Sequence, residues 1–186
     1  NVSVNQIGFE NKHNAVIFPA EYNVEEYSIM LKLVYAHENW NKSKPSVFLA
    51  GPSPRDIWHY NWRLEAIEIL KNLKFDGAVF IPLPRDGNWL DEYDAQVIWE
   101  LRYLNRARAI VFWIPRSNDL PGFTTNVEFG MFLKSGKVVL GYPEHAPKMR
   151  YLHMVAVMEK VSVFNSIEET LKAAADLAYK NFQEDP

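Results

Sequence analysis

From residue 46 onward, short apolar runs alternate with longer stretches of helical periodicity. The apolar runs predict five strands, at residues 46–50, 78–81, 109–114, 137–140 and 161–164. The periodic stretches between and after them predict helices at 62–73, 93–107, 125–134, 149–160 and 167–182. Strands and helices that alternate in this way form a mostly parallel sheet with helices on both faces. The pattern therefore predicts an α/β domain with a five-stranded sheet over residues 46–186.

Residues 1–45 follow a different pattern. Two runs rich in β-forming residues, 15–18 and 27–35, are separated by Pro19 and a polar stretch. This arrangement favours a short antiparallel hairpin or an added edge strand. Residues 39–45 are polar and end in a proline, as is typical of a linker. We expect a small N-terminal β extension ahead of the main domain.

Composition excludes several classes of function. The net charge of −3 argues against binding of a nucleic-acid polymer, which needs a basic excess. The chain has no cysteine, which excludes disulfides, thiolate nucleophiles and cysteine-ligated metals. Its histidines lack the spacing of metal ligands, and we expect neither a metal nor another cofactor. Because no long apolar run or leader is present, we expect no membrane span and a cytoplasmic location.

The loops after the first three predicted strands carry residues suited to ligand binding. These loops are residues 51–55, 82–86 and 115–126, and in a parallel sheet they converge on one crevice. Gly51 allows a ligand to approach the backbone closely, and Arg55 suits a phosphate or a sugar hydroxyl. Neither the dinucleotide-binding fingerprint nor the P-loop motif is present.

Glu128 lies near a predicted helix start. Pro121 and Gly122 break regular structure, and Thr125 is a competent N-cap, so the helix is expected to begin near residue 125. Thr125 and Glu128 then match a capping box, in which the carboxylate only binds the backbone. Alternatively, the helix N-terminus stabilises an anionic nucleophile or ligand at this point. The local sequence leaves both interpretations open.

Glu100 provides a second carboxylate. At about 100° per residue it lies on the apolar side of its helix, with Leu104. Burial there raises the pKa of a carboxyl, which suits a general acid, but a buried ion pair with Arg63 or Arg116 would also explain the position. Asp94, at the edge of the apolar side, is a weaker candidate. Two inward carboxylates without metal ligands indicate glycosidic-bond chemistry.

Seven short motifs lie along the main domain: residues 48–52 (FLAGP), 62–63 (WR), 93–96 (YDAQ), 99–100 (WE), 112–116 (FWIPR), 124–130 (TTNVEFG) and 136–137 (GK). Together they resemble the nucleoside 2-deoxyribosyltransferase-like family, and the resemblance spans about residues 46–152. The superfamily includes 2′-deoxynucleoside 5′-phosphate N-hydrolases and cytidylate N-glycosidases.

The resemblance implies a flavodoxin-like sheet and a retaining double displacement. Glu128 falls on the family's nucleophile, and Glu100 falls on its acid, which is usually an aspartate. The resemblance also implies a homo-oligomer that acts on a nucleoside or nucleotide and a free base. With Arg55 and Asp94, the candidate substrate-binding residues are Gly51, Pro52, Arg63, Arg116, Thr125 and Asn126.

Gly122 departs from the family pattern. True transferases carry a sugar-binding aspartate six residues before the nucleophile, where this chain has Gly122. Asp119 is the nearest replacement. We expect transfer of a sugar to a second base, with hydrolysis or a non-catalytic nucleotide-binding module as alternatives.

Overall fold

The computed structural model describes residues 31–54, 60–89 and 93–185 of the chain. Six strands in these ranges are β1 Lys32–Tyr35, β2 Ser46–Ala50, β3 Ala78–Ile81, β4 Ala109–Trp113, β5 Val138–Gly141 and β6 Ser162–Phe164. Five helices accompany them: α1 Trp62–Asn72, α2 Tyr93–Arg106, α3 Phe123–Phe132, α4 Arg150–Met158 and α5 Ile167–Glu184. No helix in the described ranges has both the length and the apolar character that crossing a bilayer requires.

The strands form one parallel sheet in the order β1-β3-β2-β4-β5-β6. Counted from β2, strands β2 to β6 have the 2-1-3-4-5 order of flavodoxin-like sheets. The predicted α/β class is confirmed, but the sheet has six strands where five were predicted. The sixth is β1, which comes from the segment assigned to the N-terminal extension and pairs in parallel with β3. The other strand of the predicted hairpin, residues 15–18, lies outside the described residues.

Both faces of the sheet are covered, as the alternation predicted. Successive residues of a strand point to opposite faces, so Phe48 and Leu49 enter different cores. One core packs α2, α3 and α4 against the sheet, through residues such as Leu104, Phe129 and Leu152. The other packs α1 and α5 against the opposite face. Loops at the carboxyl ends of the strands are left free to form a site.

The turn after β1 is tied to α2. His37 has a left-handed backbone with a φ of 67°. The next carbonyl, that of Glu38, accepts hydrogen bonds from Trp99 Nε1 at 2.9 Å and Tyr103 Oη at 3.2 Å. The Glu38 carboxylate pairs with Arg85, whose Nε lies 2.6 Å away. These contacts hold α2 at the edge of the sheet where β1 and β3 end.

Candidate active site

A cavity of about 480 Å³ lies at the carboxyl ends of β2 and β4. The chain leaves these two neighbouring strands toward opposite faces of the sheet, and such a switch point is where flavodoxin-like folds bind ligands. The lining includes residues 51–54, Pro82, Trp89, Tyr93, Gln96, Glu100, residues 120–125 and Glu128. Three strand-end loops and two helices therefore converge on one crevice, as the sequence predicted.

The helix that carries Glu128 starts two residues earlier than predicted. Gly122 is the N-cap of α3, with a φ of 66°, and no side chain caps the helix. Thr125 therefore lies within the first turn, and Glu128 lies in the second turn. The capping-box interpretation of Thr125 and Glu128 is wrong, because a left-handed glycine after Pro121 begins the helix before either threonine can cap it. Glu128 instead points inward and is only 9% exposed.

Glu100 projects from the inward face of α2, as the helical periodicity predicted. It is half-buried and lines the cavity. Its Oε1 accepts a hydrogen bond of 2.7 Å from Nε2 of Gln96, one helical turn earlier. The same Nε2 lies 3.3 Å from the carbonyl oxygen of Pro82, just past the end of β3. The carboxyl is therefore held between its own helix and the sheet.

The carboxyl groups of Glu100 and Glu128 line the same cavity, and each shifts the pKa of the other. Burial, and then the charge of Glu100, raises the pKa of Glu128 to about 8. Burial also raises the pKa of Glu100, although the hydrogen bond from Gln96 and the charge of Arg63 oppose this effect. Two neighbouring carboxyls do not both ionise readily, because their charges repel each other. A pKa of about 8 leaves a proton on Glu128 near neutral pH, and the charge of Glu100 helps to keep it there.

Arg63 lies behind the wall of the cavity. It is fully buried and donates hydrogen bonds to the carbonyl oxygens of Leu49 at 3.0 Å, Gly51 at 2.7 Å and Pro52 at 3.3 Å. Its guanidinium also stacks on the ring of Trp62, 4.6 Å from the ring centroid. Arg63 thus fixes the loop after β2, and its positive charge acts on the two carboxyls from behind that loop.

Gly51 permits the close packing of that loop. Its φ is 151°, and a Cβ at this position would lie 2.1 Å from the Trp113 carbonyl oxygen and 2.9 Å from Trp62 Cζ2. Only a residue without a side chain fits here.

The other predicted site residues are divided between two places. Thr125 is buried and lines the cavity. Arg116 donates a hydrogen bond to Asn126, and both line a neighbouring cavity of about 810 Å³ instead. Asp94 is exposed and is not part of the lining. Arg55 lies outside the described residues. Neither Arg63 nor Arg116 forms a salt bridge with Glu100 within the described part of the chain, so the ion-pair interpretation of Glu100 has no support there.

The roles of three lining residues were not predicted from the sequence. Gln96 lies four residues before Glu100, and residues with this spacing are neighbours on one face of a helix, so the spacing could have indicated their contact. Trp89 and Tyr93 are 51% and 69% exposed and border the cavity. They offer flat apolar surfaces on which a planar ligand can stack.

One comparison with known proteins identifies a family. A family model described as "Nucleoside 2-deoxyribosyltransferase like" matches residues 44–146, more than half of the chain. The matched region contains strands β2 to β5 and both carboxylates of the cavity. A search of curated proteins found no match.

Proposed function

The chain belongs to the nucleoside 2-deoxyribosyltransferase-like family, and from this premise we propose that it cleaves the N-glycosidic bond of a deoxynucleoside or deoxynucleotide and transfers the sugar to a second base. One observation carries the proposal. Glu100 and Glu128 come from different β–α units, yet their carboxyls meet in the cavity at the switch point of the sheet.

In the proposed reaction Glu128 is the nucleophile and Glu100 is the acid. A carboxylate oxygen of Glu128 attacks the anomeric carbon while the bond from that carbon to the base nitrogen breaks. The electron pair of the broken bond leaves with the base, and Glu100 supplies the proton that neutralises it. The product is a glycosyl ester on Glu128. An incoming base then gives its N–H proton to Glu100 and attacks the anomeric carbon, which releases the Glu128 carboxylate.

The pair supplies the proton and the negative charge that these two roles need. In the free protein the proton lies on Glu128, whose pKa is about 8, so the proposed reaction requires it to pass to Glu100 when substrate binds, which leaves Glu128 as the anion. The positive charge of Arg63 favours a carboxylate anion in the pair. Because Arg63 donates its hydrogen bonds to backbone carbonyls, it does not bind the carboxylate oxygens themselves. Retaining glycosidases hold the two carboxyls about 5–5.5 Å apart and inverting ones about 6.5–9.5 Å, so the proposed double displacement needs Glu100 and Glu128 at the shorter separation.

Hydrolysis is the second candidate, and Gly122 favours it. A Cβ on Gly122 would lie 2.8 Å from Pro52 Cγ, and its φ of 66° is strained for any side chain. The sugar-binding aspartate of the transferases therefore has no room at this position. In hydrolysis, water takes the place of the incoming base in the second step.

We predict that a 2-fluoro-arabino nucleoside will label Glu128. The fluorine slows breakdown of the glycosyl ester, so the intermediate accumulates. Mass spectrometry of a digest should show one added fluoro-sugar on the peptide that contains Glu128. The Glu128→Gln variant should show none. Chromatography with an added second base then separates transfer from hydrolysis. A lack of adduct and of base release with both purine and pyrimidine donors would overturn the proposal.

We also propose that the protein is a homo-oligomer that associates through α3 and α4. The outward positions of α3 carry no charged residue: Phe123, Thr124, Val127, Gly130 and Met131. Beside them α4 exposes four large side chains: Tyr151, Met154, Val157 and Met158. Phe123 and Gly130 of α3 and Tyr151 of α4 border one cavity, so the two apolar faces flank it. Exposed apolar surface marks an interaction site, and the uncharged face of α3 can meet a copy of itself without repulsion.

Charging this surface is expected to separate the subunits. Val127→Glu and Met131→Glu place a charge that would be buried in the proposed contact. Light scattering after gel filtration should show that the wild-type protein is a dimer or a larger oligomer and that the variants are monomers. Leu64→Glu is the matched control, since Leu64 is 62% exposed on α1 at the opposite face of the sheet. A monomeric wild type, or dissociation by Leu64→Glu as well, would contradict the proposed interface.

A further inference from the structure

The side-chain amide of Gln96 has two hydrogen-bond acceptors at its nitrogen and, among the described residues, no partner at its buried oxygen. Its side chain is 6% exposed, and its Nε2 bridges Glu100 Oε1 and the Pro82 carbonyl oxygen. A backbone carbonyl can only accept, so the amide nitrogen, and not its oxygen, must face Pro82. The orientation of the amide is therefore fixed by its neighbours.

The oxygen of the Gln96 side chain, unpaired in the part of the chain that the structure describes, lowers the stability of the fold, which argues against a purely structural role for this residue. Oε1 of Gln96 is buried and has no hydrogen-bond partner within the described ranges. An unpaired buried acceptor destabilises a protein, and an apolar side chain of similar size would avoid that penalty. An apolar side chain could not donate the N–H hydrogen bond that Gln96 gives to Glu100.

We propose that Gln96 is a positioning residue that selects which oxygen of Glu100 carries the catalytic proton. A neutral carboxyl group has one proton, and an amide N–H directed at one oxygen favours that oxygen as the carbonyl oxygen. Because Oε1 accepts from Gln96, Oε2 is the oxygen that carries the proton when Glu100 acts as the acid. The inference rests on the proposed function, in which that proton passes to the leaving base as the glycosidic bond breaks.

The surroundings make this selection rigid. Pro82 is the first residue after β3, so the amide of Gln96 is anchored next to the end of the sheet. On the other side, Trp99 and Tyr103 flank Glu100 along α2 and are bound by the Glu38 carbonyl. Gln96 thus acts on a carboxyl whose helix is held in place.

The test compares two leaving groups in Gln96→Leu. Ordinary deoxynucleosides need a proton on the departing base, whereas an N-linked nicotinamide deoxyriboside releases a neutral pyridine without one. We expect kcat for ordinary donors to fall about 10- to 100-fold, within the range of general acid catalysis. For the nicotinamide donor kcat should change by less than about threefold, since the chemical step no longer depends on the acid. Asn105→Leu, the same change at an exposed position on α2, should leave both rates unchanged.

A titration tests the same contact without turnover. The N–H of Gln96 lowers the pKa of Glu100, so Gln96→Leu should move the apparent pKa of the carboxyl pair upward in ¹³C NMR. Glu128, Arg63 and His37 also act on Glu100, and they are unchanged in the variant.

The possible outcomes distinguish this inference from the proposed function. Equal loss with both donors, no loss with either, or an unshifted titration in Gln96→Leu would overturn the role of Gln96. Failure of the wild-type protein to release any base, with the titration shift present, would overturn the proposed function instead.

Discussion

Replacement of Glu128 with glutamine is expected to lower kcat/KM for base release by about 10⁴-fold or more, since loss of a covalent nucleophile has effects of this size. Glutamine keeps the size of the side chain but cannot form the glycosyl ester. The measurement is chromatographic release of base from a panel of deoxynucleosides and their 5′-phosphates. The matched control is Glu169→Gln, an exposed glutamate in the first turn of α5.

Two results would contradict this expectation. Activity of Glu128→Gln within about tenfold of wild type would show that Glu128 is not the nucleophile. Tight nucleotide binding by both proteins with no base release by either would favour a non-catalytic nucleotide-binding module.

The free energy of unfolding is expected to fall as the pH rises from about 4.5 to about 8. In the folded protein the pKa of Glu128 is raised to about 8, whereas its ordinary value is 4.5. Between these values the folded state holds a proton that the unfolded chain has released, so a rise in pH favours unfolding. One proton corresponds to a slope of about 1.4 kcal/mol per pH unit, and to a total loss on the order of 5 kcal/mol.

Glu128→Gln should remove most of this slope. The glutamine stays neutral, so Glu100 no longer has a like charge beside it and keeps the nearby charge of Arg63. Urea denaturation at pH 5, 6.5 and 8 should show similar stability for variant and wild type at pH 5 and a more stable variant at pH 8. Glu169→Gln should keep the wild-type slope. A variant less stable than wild type at every pH would mean that the Glu128 carboxylate stabilises the fold.

The parts of the structure that depend on local patterns could be predicted. The apolar runs placed β2 and β3 at their observed bounds, and helical periodicity placed Glu100 on the inward face of α2. The pairing of β1 with β3 could not be predicted, because the two strands are far apart in the sequence and nothing in either one specifies its neighbour. The predicted start of α3 was two residues late, because Thr124, Thr125 and Asn126 are all residues that favour an N-cap. The left-handed backbone of Gly122, which begins the helix, is not visible in the sequence pattern.

The positions of the arginines depend on packing that no motif encodes. Arg63 and Arg116 were both expected at the substrate, since both belong to motifs that surround the site. Three backbone carbonyls bind Arg63 behind the cavity wall. Arg116 donates a hydrogen bond to Asn126, and both residues line the neighbouring cavity instead of the one that contains Glu128. A sequence shows that an arginine lies near a crevice, but the acceptors that bind it appear only when the loops are folded.

The turn after β1 stabilises α2 from outside the region that the family model matches. The matched family region starts at residue 44, yet the carbonyl that binds Trp99 and Tyr103 belongs to Glu38. A fragment trimmed to the family region would keep Glu100, Glu128 and Gln96 while leaving β3 as an open edge and two buried aromatic donors without their acceptor. The region defined by family similarity is therefore smaller than the unit that folds around Glu100.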